Sequence, residues 1–143
     1  MSDTPKQFPP PLPLPDPLTQ FFWDAAAEHN LMIQQCNDCG QHIHPPRPIC
    51  RRGLSTDLAP VEVSGRATLY TWTVAEQAFH PYFADKLPYV YATVELEEQS
   101  TKLITNVVDC PIDELRVGMP LEVTFEPLGE TITLPKFRPA ASS

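Results

Sequence analysis

Glycine and positive charge are both scarce in this chain. Five glycines in 143 residues leave little material for a glycine-rich phosphate cradle, and no dinucleotide fingerprint, phosphate loop, Gly-x-Ser-x-Gly or His-Glu-x-x-His pattern occurs. Ten basic residues stand against 18 acidic ones, a formal charge of −8. That balance argues against nucleic acid or an anionic membrane as the main partner, because both require clustered positive charge. No run reaches the roughly 18 apolar residues that cross a bilayer. The stretch from Met1 to Asp16 carries prolines and an acid at Asp3 in place of the apolar core of a signal peptide, so the expected compartment is the cytoplasm. The length supports one domain or two very small ones.

Proline, by contrast, is abundant, with 18 residues. Pro5, Pro9, Pro10, Pro11, Pro13, Pro15 and Pro17 crowd the first 17 positions. Such a segment favours polyproline II and has no core of its own. As a ligand for a proline-recognition domain it lacks the second proline after Lys6-x-x-Pro9 and a following base, so an extended arm is the expectation. Asp16 then caps a helix with Pro17 in its first turn. Leu18, Phe21, Phe22, Ala25 and Ala26 share its apolar face, and Asn30 is the expected stop.

From Leu31 the pattern changes. Leu31 to Gln35 reads as a short strand, Cys36-Asn37-Asp38-Cys39-Gly40 as a tight knuckle, and Pro45-Pro46-Arg47-Pro48 as irregular. From Val61 onward the pattern is β. Ala67 to Val74 places Tyr70, Trp72 and Val74 opposite Leu69. Tyr89 to Leu96 alternates, Leu103 to Val108 is apolar on both faces, and Leu121 to Phe125 and Ile132 to Phe137 follow. About five strands in so short a span predict a small closed or nearly closed barrel. The one long irregular insertion is Glu76 to Pro88.

Three cysteines are spaced for a metal. Cys36-x-x-Cys39 is half of a zinc ribbon, and Cys50-Arg51-Arg52-Gly53 would be the other half had Gly53 been cysteine. Three readings stand: a ribbon that has lost its metal, which is preferred; a zinc site of three thiolates, completed or not by His42 or His44; and a redox dithiol. Without four ligands the lobe must find folding free energy elsewhere. Cys110, far along the chain, reads as a small buried hydrophobe. Of the histidines, His29 reads as a surface group near a helix end and His44 as a packing residue. His80 lies in the aromatic loop Phe79-His80-Pro81-Tyr82-Phe83, and long loops of this kind tend to carry function. No catalytic constellation is assigned.

The ordered set Phe22-Trp23, Cys36-x-x-Cys39-Gly40, Pro45-Pro46-Arg47-Pro48-x-Cys50, Val61-Glu62-Val63-Ser64-Gly65, Leu69-Tyr70-Thr71-Trp72-Thr73-Val74, Leu103-Ile104-Thr105-Asn106, Leu115-Arg116-Val117-Gly118-Met119-Pro120 and Leu134-Pro135-Lys136-Phe137 resembles the acyl-CoA-associated proteins that join a rubredoxin-like zinc ribbon to an OB-fold. The departure is Gly53, where that family has its fourth cysteine. The resemblance implies a mainly β chain. A proline-rich leader covers residues 1–17, an N-terminal helix and small, degenerate zinc ribbon 18–60, an OB-fold barrel 61–140, and a tail 141–143. It implies a non-catalytic accessory subunit, in a hetero-oligomer with a thiolase-like or lipid-transfer-protein-type enzyme, that supports acyl-CoA binding or transfer.

The implied cofactors are zinc at Cys36, Cys39 and Cys50, and a shared coenzyme A thioester. Because coenzyme A carries phosphates, local positive charge is required. Arg47, Arg51, Arg52 and Arg66 cluster around the ribbon, and Lys136 and Arg138 form a second group; the alternative is a solvated basic face that offsets nearby acids. The expected contact residues are Arg47, Arg51, Arg52, Phe79, His80, Tyr82 and Phe83. Two other functions compete: an OB-fold that stacks nucleic-acid bases on Tyr70, Trp72, Tyr89 and Tyr91, and a stand-alone acyl-CoA enzyme.

Overall fold

The computed structural model describes residues 11–78 and 80–140. Most of the proline-rich leader, residues 1–10, Phe79 of the aromatic loop and the tail, residues 141–143, lie outside the described residues.

Helix α1 spans Gln20–Ala27 and buries Phe22, Ala25 and Ala26. Asp16 does not cap it directly. The Asp16 carboxylate and carbonyl accept the Thr19 N–H at 2.8 and 3.1 Å, and the Asp16 N–H donates to Thr19 Oγ1 at 3.1 Å. These reciprocal bonds form a capping box on the turn that leads into the helix, and the Gln20 N–H joins the two by donating to the Asp16 carbonyl at 2.9 Å; the regular helix starts at Gln20, with Thr19 at its N-cap. The stop is His29 rather than Asn30. His29 has φ +64°, its N–H donates to the Ala26 carbonyl at 2.9 Å, and the Asn30 N–H reaches back to Ala25 at 2.9 Å. That is a Schellman closure with an imidazole in the left-handed position. The His29 ring stacks on Phe125 at 5.2 Å, 14° from parallel, so the helix end is fixed to the barrel by the residue that terminates it.

Strands β1 (Met32–Cys36), β2 (His42–Ile43) and β3 (Leu58–Glu62) form an antiparallel sheet ordered β2-β1-β3. Val61 and Glu62 pair with Ile33 and Met32 of β1, and the Val63 N–H continues to the Leu31 carbonyl at 3.0 Å. The remaining strands, β4 (Arg66–Ala75), β5 (Tyr89–Leu96), β6 (Lys102–Val107), β7 (Pro120–Leu128) and β8 (Ile132–Pro139), close a barrel in the order β4-β5-β6-β8-β7. All neighbours are antiparallel except β6 and β8, which meet in parallel at Val107 and Phe137. This five-stranded closed topology is the expected OB-fold.

Phe137, fully buried, sits at that parallel seam among Leu69, Val94, Leu96, Leu103 and Leu121, and the same core continues through Phe22, Leu31 and Ile33 into the helix and ribbon. One alternation differs from expectation. Strand β6 is not buried on both faces: Leu103, Thr105 and Val107 point inward, while Ile104 is 62% exposed. A closed barrel has an outer surface, and Ile104 belongs to it. In β4 a bulge between Leu69 and Thr71 leaves Tyr70 outward as the extra residue.

Candidate functional site: a thiol cluster and three contiguous hollows

The ribbon consists of two knuckles with the same backbone hydrogen-bond pattern. In the first, the Cys36 N–H donates to the Gln41 carbonyl at 2.9 Å and the Gly40 N–H to the Cys36 carbonyl at 2.8 Å. In the second, the Cys50 N–H donates to Ser55 at 2.9 Å and the Leu54 N–H to Cys50 at 2.8 Å. Gly40 and Leu54 occupy the same left-handed position, at φ +77° and +57°. Cys39 therefore corresponds to Gly53. The Sγ atoms of Cys36, Cys39 and Cys50 lie within 4.8 Å of one another, with Cys39 and Cys50 at 3.7 Å. A tetrahedral zinc with Zn–S bonds of about 2.3 Å sets its sulfurs about 3.8 Å apart. The three thiols thus fit a zinc ion, and Gly53 supplies no fourth donor. Neither His42 nor His44 belongs to this cluster. N–H groups of Gly53 and Arg52 directed at Cys50 hold its thiol below the ordinary thiol range.

What replaces the missing ligand bond is visible around the cluster. Cys36, Ile43, Cys50 and Leu58 form a small apolar core. The buried Gln34 amide grips the Arg47 backbone on both sides, accepting its N–H and donating to its carbonyl at 2.8 Å each. Asn37 donates to Asp57 at 3.0 Å, and Ser55 donates to Asp38. Gln99, on the turn between β5 and β6, donates to the Gly40 carbonyl and accepts the His42 N–H, both at 2.9 Å. That turn places Gln99 and Ser100 at φ +58° and +55°, a conformation that ordinarily favours Asn-Gly.

Three hollows run on from this lobe. The first, of about 420 Å³, is lined by Arg47, Arg51 and Arg52 of the ribbon and by Gln99, Ser100 and Lys102 across from them. Among the described residues these three arginines join no ion pair, whereas Arg66 pairs with Glu97 at 2.9 Å, Lys136 with Glu126 at 3.1 Å and Arg138 with Glu122 at 3.0 Å. Arg66, Lys136 and Arg138 thus match the reading of a basic face that offsets acids.

The second hollow, of about 400 Å³, is mainly apolar and lies between α1, the Pro45-Pro46 segment and the barrel, with Phe22, Trp23, Pro45, Tyr91, Ile104 and Pro135 among its walls. His44 borders both hollows. Its ring lies 5.4 Å from Phe22, its Nδ1 is buried with no partner among the described residues, and burial pushes its pKa down to about 4. It packs, as expected.

The third, of about 320 Å³, is lined by Phe83, Lys86, Tyr89 and Cys110 and shares Asn106 and Lys136 with the second. Here the aromatic loop folds onto itself. His80 Nδ1 accepts the Tyr82 N–H at 3.1 Å and caps a 3₁₀ turn over Pro81–Phe83, Tyr82 and Phe83 meet edge to face at 5.0 Å, and Phe83 leans on Tyr89 at 5.6 Å. Cys110 is half-buried, its thiol raised by burial and by Glu114.

The structure therefore gathers Arg47, Arg51 and Arg52 but sets them apart from His80, Tyr82 and Phe83, with the apolar hollow between. The residues that sequence reasoning missed are Gln34, Gln99 and Lys102. Gln34 and Gln99 bond to partners 13 and 59 positions away, and Lys102 Nζ stands 4.5 Å from the centre of the Tyr70 ring, so no local pattern marks them.

Comparison with known proteins agrees with this architecture. Residues 23–59 match the ChsH2 rubredoxin-like zinc ribbon domain and residues 60–126 the ChsH2 C-terminal OB-fold domain. A solved structure described as an Ltp2-ChsH2(DUF35) aldolase superposes with a TM-score of 0.83 at 37% identity, covering 91% of this chain and all of that one. A probable enoyl-CoA hydratase alpha subunit of Thermomonospora curvata is 40% identical over 120 residues, 84% of this chain but 37% of that protein. A DUF35 domain-containing scaffold protein of Methanothermobacter thermautotrophicus is 32% identical over 106 residues, 71% of this chain and 76% of that one. With ribbon, barrel and order of elements all in agreement, the chain belongs to the DUF35 family, in the ChsH2 form that joins a rubredoxin-like ribbon to a C-terminal OB-fold.

Proposed function

We propose that this chain is an accessory subunit that binds a thiolase-like or lipid-transfer-protein-type enzyme and holds an acyl-CoA at the joint between them. The observation that carries the reading is the contiguity of the three hollows. A coenzyme A thioester has a phosphate-rich end, a long linker and an apolar acyl end. Along this surface, three arginines without ion pairs give way to an apolar trough walled by Phe22, Trp23 and Tyr91. Charge-assisted contacts from planar guanidinium groups suit phosphate, and the trough suits the rest. The relatives, a scaffold protein, a probable hydratase alpha subunit and an aldolase complex, support the accessory role. The chain spans 37% of the length of the hydratase subunit. The ribbon lobe, residues 18–60, then carries the phosphate contacts, and the barrel, residues 61–140, with His80, Tyr82 and Phe83 faces the partner.

The test is coexpression with each thiolase-like or lipid-transfer-protein-type enzyme found encoded beside it, followed by binding of coenzyme A to the purified complex. Copurification is expected. An Arg51→Ala/Arg52→Ala double variant should still copurify but bind coenzyme A about tenfold or more weakly, the effect shrinking at high salt. A chain that stays alone overturns the accessory role, and unchanged affinity in the double variant overturns the arginine groove.

A further inference from the structure

We propose that Cys36, Cys39 and Cys50 form a metal centre whose fourth coordination position, at Gly53, is open and takes an exchangeable ligand from solution, an imidazole or a thiol. Four observations lead there. The second knuckle retains the hydrogen-bond pattern of the first, carbonyl for carbonyl, so the loss of the fourth cysteine has not collapsed the loop that would present it. The three sulfurs already stand at separations suited to one ion. A Cβ built on Gly53 meets no atom within 4 Å, and Arg51, Arg52 and Gly53 are all exposed, so an outside donor has room to enter. Lastly, no histidine, aspartate or glutamate among the described residues joins the thiol cluster, so none of them closes the fourth position.

The chemistry follows from the donor set. Three thiolates select a soft or borderline ion such as zinc. Zinc held by four protein ligands is closed, while zinc held by three keeps its fourth position for water or another small ligand. By its coordination number this centre belongs with the second kind, although it sits where a closed structural site would be. The small apolar core and the Gln34 and Gln99 bonds keep the lobe folded without the fourth ligand. The inference stands apart from the partner and acyl-CoA reading, since it concerns the isolated chain.

Cobalt tests it. The metal-free full chain, kept anaerobic with a non-thiol reductant, is titrated with Co²⁺ and followed by its absorption. The expected result is one cobalt per chain with thiolate charge-transfer bands, and ligand-field bands that move when imidazole is added. Gly53→Cys should also bind one cobalt, with bands that no longer respond to imidazole, and should hold zinc at least 100-fold more tightly in competition with a chelator. Cys39→Ser should lose the metal. Wild-type bands unmoved by imidazole would show the fourth position filled from within and overturn the proposal. So would a wild type that binds no metal while Gly53→Cys binds one. The imidazole titration of the wild type needs no variant, so a misfolded Gly53→Cys leaves the test intact.

Discussion

His44 should make this fold acid-sensitive in a defined window. Its ring lies 5.4 Å from Phe22 beside Pro45 and Pro46, and among the described residues its Nδ1 has no partner. Among the described residues no carboxylate lines either hollow that it borders, while Arg47, Arg51, Arg52 and Lys136 do. An imidazolium there would be desolvated without an anion to offset it, and the pKa falls from 6.5 to about 4. Between those values the unfolded chain binds more protons than the folded one, so stability rises with pH through the window. It is fully present above pH 6.5 and lost as the pH falls towards 4. At about 1.4 kcal/mol per unit the loss is about 3 kcal/mol, a large part of a typical stability of about 5–15 kcal/mol. Urea unfolding of the wild type and of His44→Leu, at constant ionic strength from pH 7 to pH 4, reads it directly. Asp16 and Glu97, whose carboxyls are lowered by the Thr19 N–H and by Arg66, titrate in both proteins and cancel. The wild type should lose about 3 kcal/mol more than the variant. Parallel pH curves would refute the reasoning and mean that His44 is hydrated or paired when protonated.

Two further outcomes rest on single contacts. Gly65 has φ +82°, and a Cβ there would meet Val123 Cγ1 at 2.5 Å, while its carbonyl holds the Val123 N–H at 2.8 Å. Gly65→Ala should therefore cost about 2–4 kcal/mol, read as a lowered urea midpoint with unchanged slope. Gln34→Leu leaves the Arg47 N–H and carbonyl without their side-chain partner and should cost about 2 kcal/mol in the same assay. It should also speed amide exchange at Arg47, while a loss confined to global stability, with exchange there unchanged, would argue against the clamp.

The sequence declared its strands because barrel walls have two unlike faces. Val90, Ala92, Val94 and Leu96 recur at a period of two and are all buried. The thiol cluster was legible for a related reason, since a metal knuckle is local and its spacing survives in the string. Less legible were contacts closed by the tertiary fold. Nothing around Gln99 marks it as the residue that reaches Gly40, 59 positions earlier. The arginines looked like one group of four until folding drew Arg66 to Glu97 and left the other three without ion pairs. Ile104 looked interior because apolarity does not distinguish a buried face from the wall of a trough. Asn30 looked like the helix stop because asparagine tolerates positive φ, but the stacking of His29 on Phe125 rewards the residue before it.

The ribbon is tied to the barrel both by the apolar core that runs through Leu31 and Ile33 and by the Gln99 side chain at Gly40 and His42. A body held at one point can swivel about it; held at two, it keeps a bearing. The distance and angle between the thiol cluster and the mouth of the trough are thus built into the chain before any larger protein engages it. The ribbon then works as a gauge, fixing how far from the barrel, and in what direction, its charged end is presented.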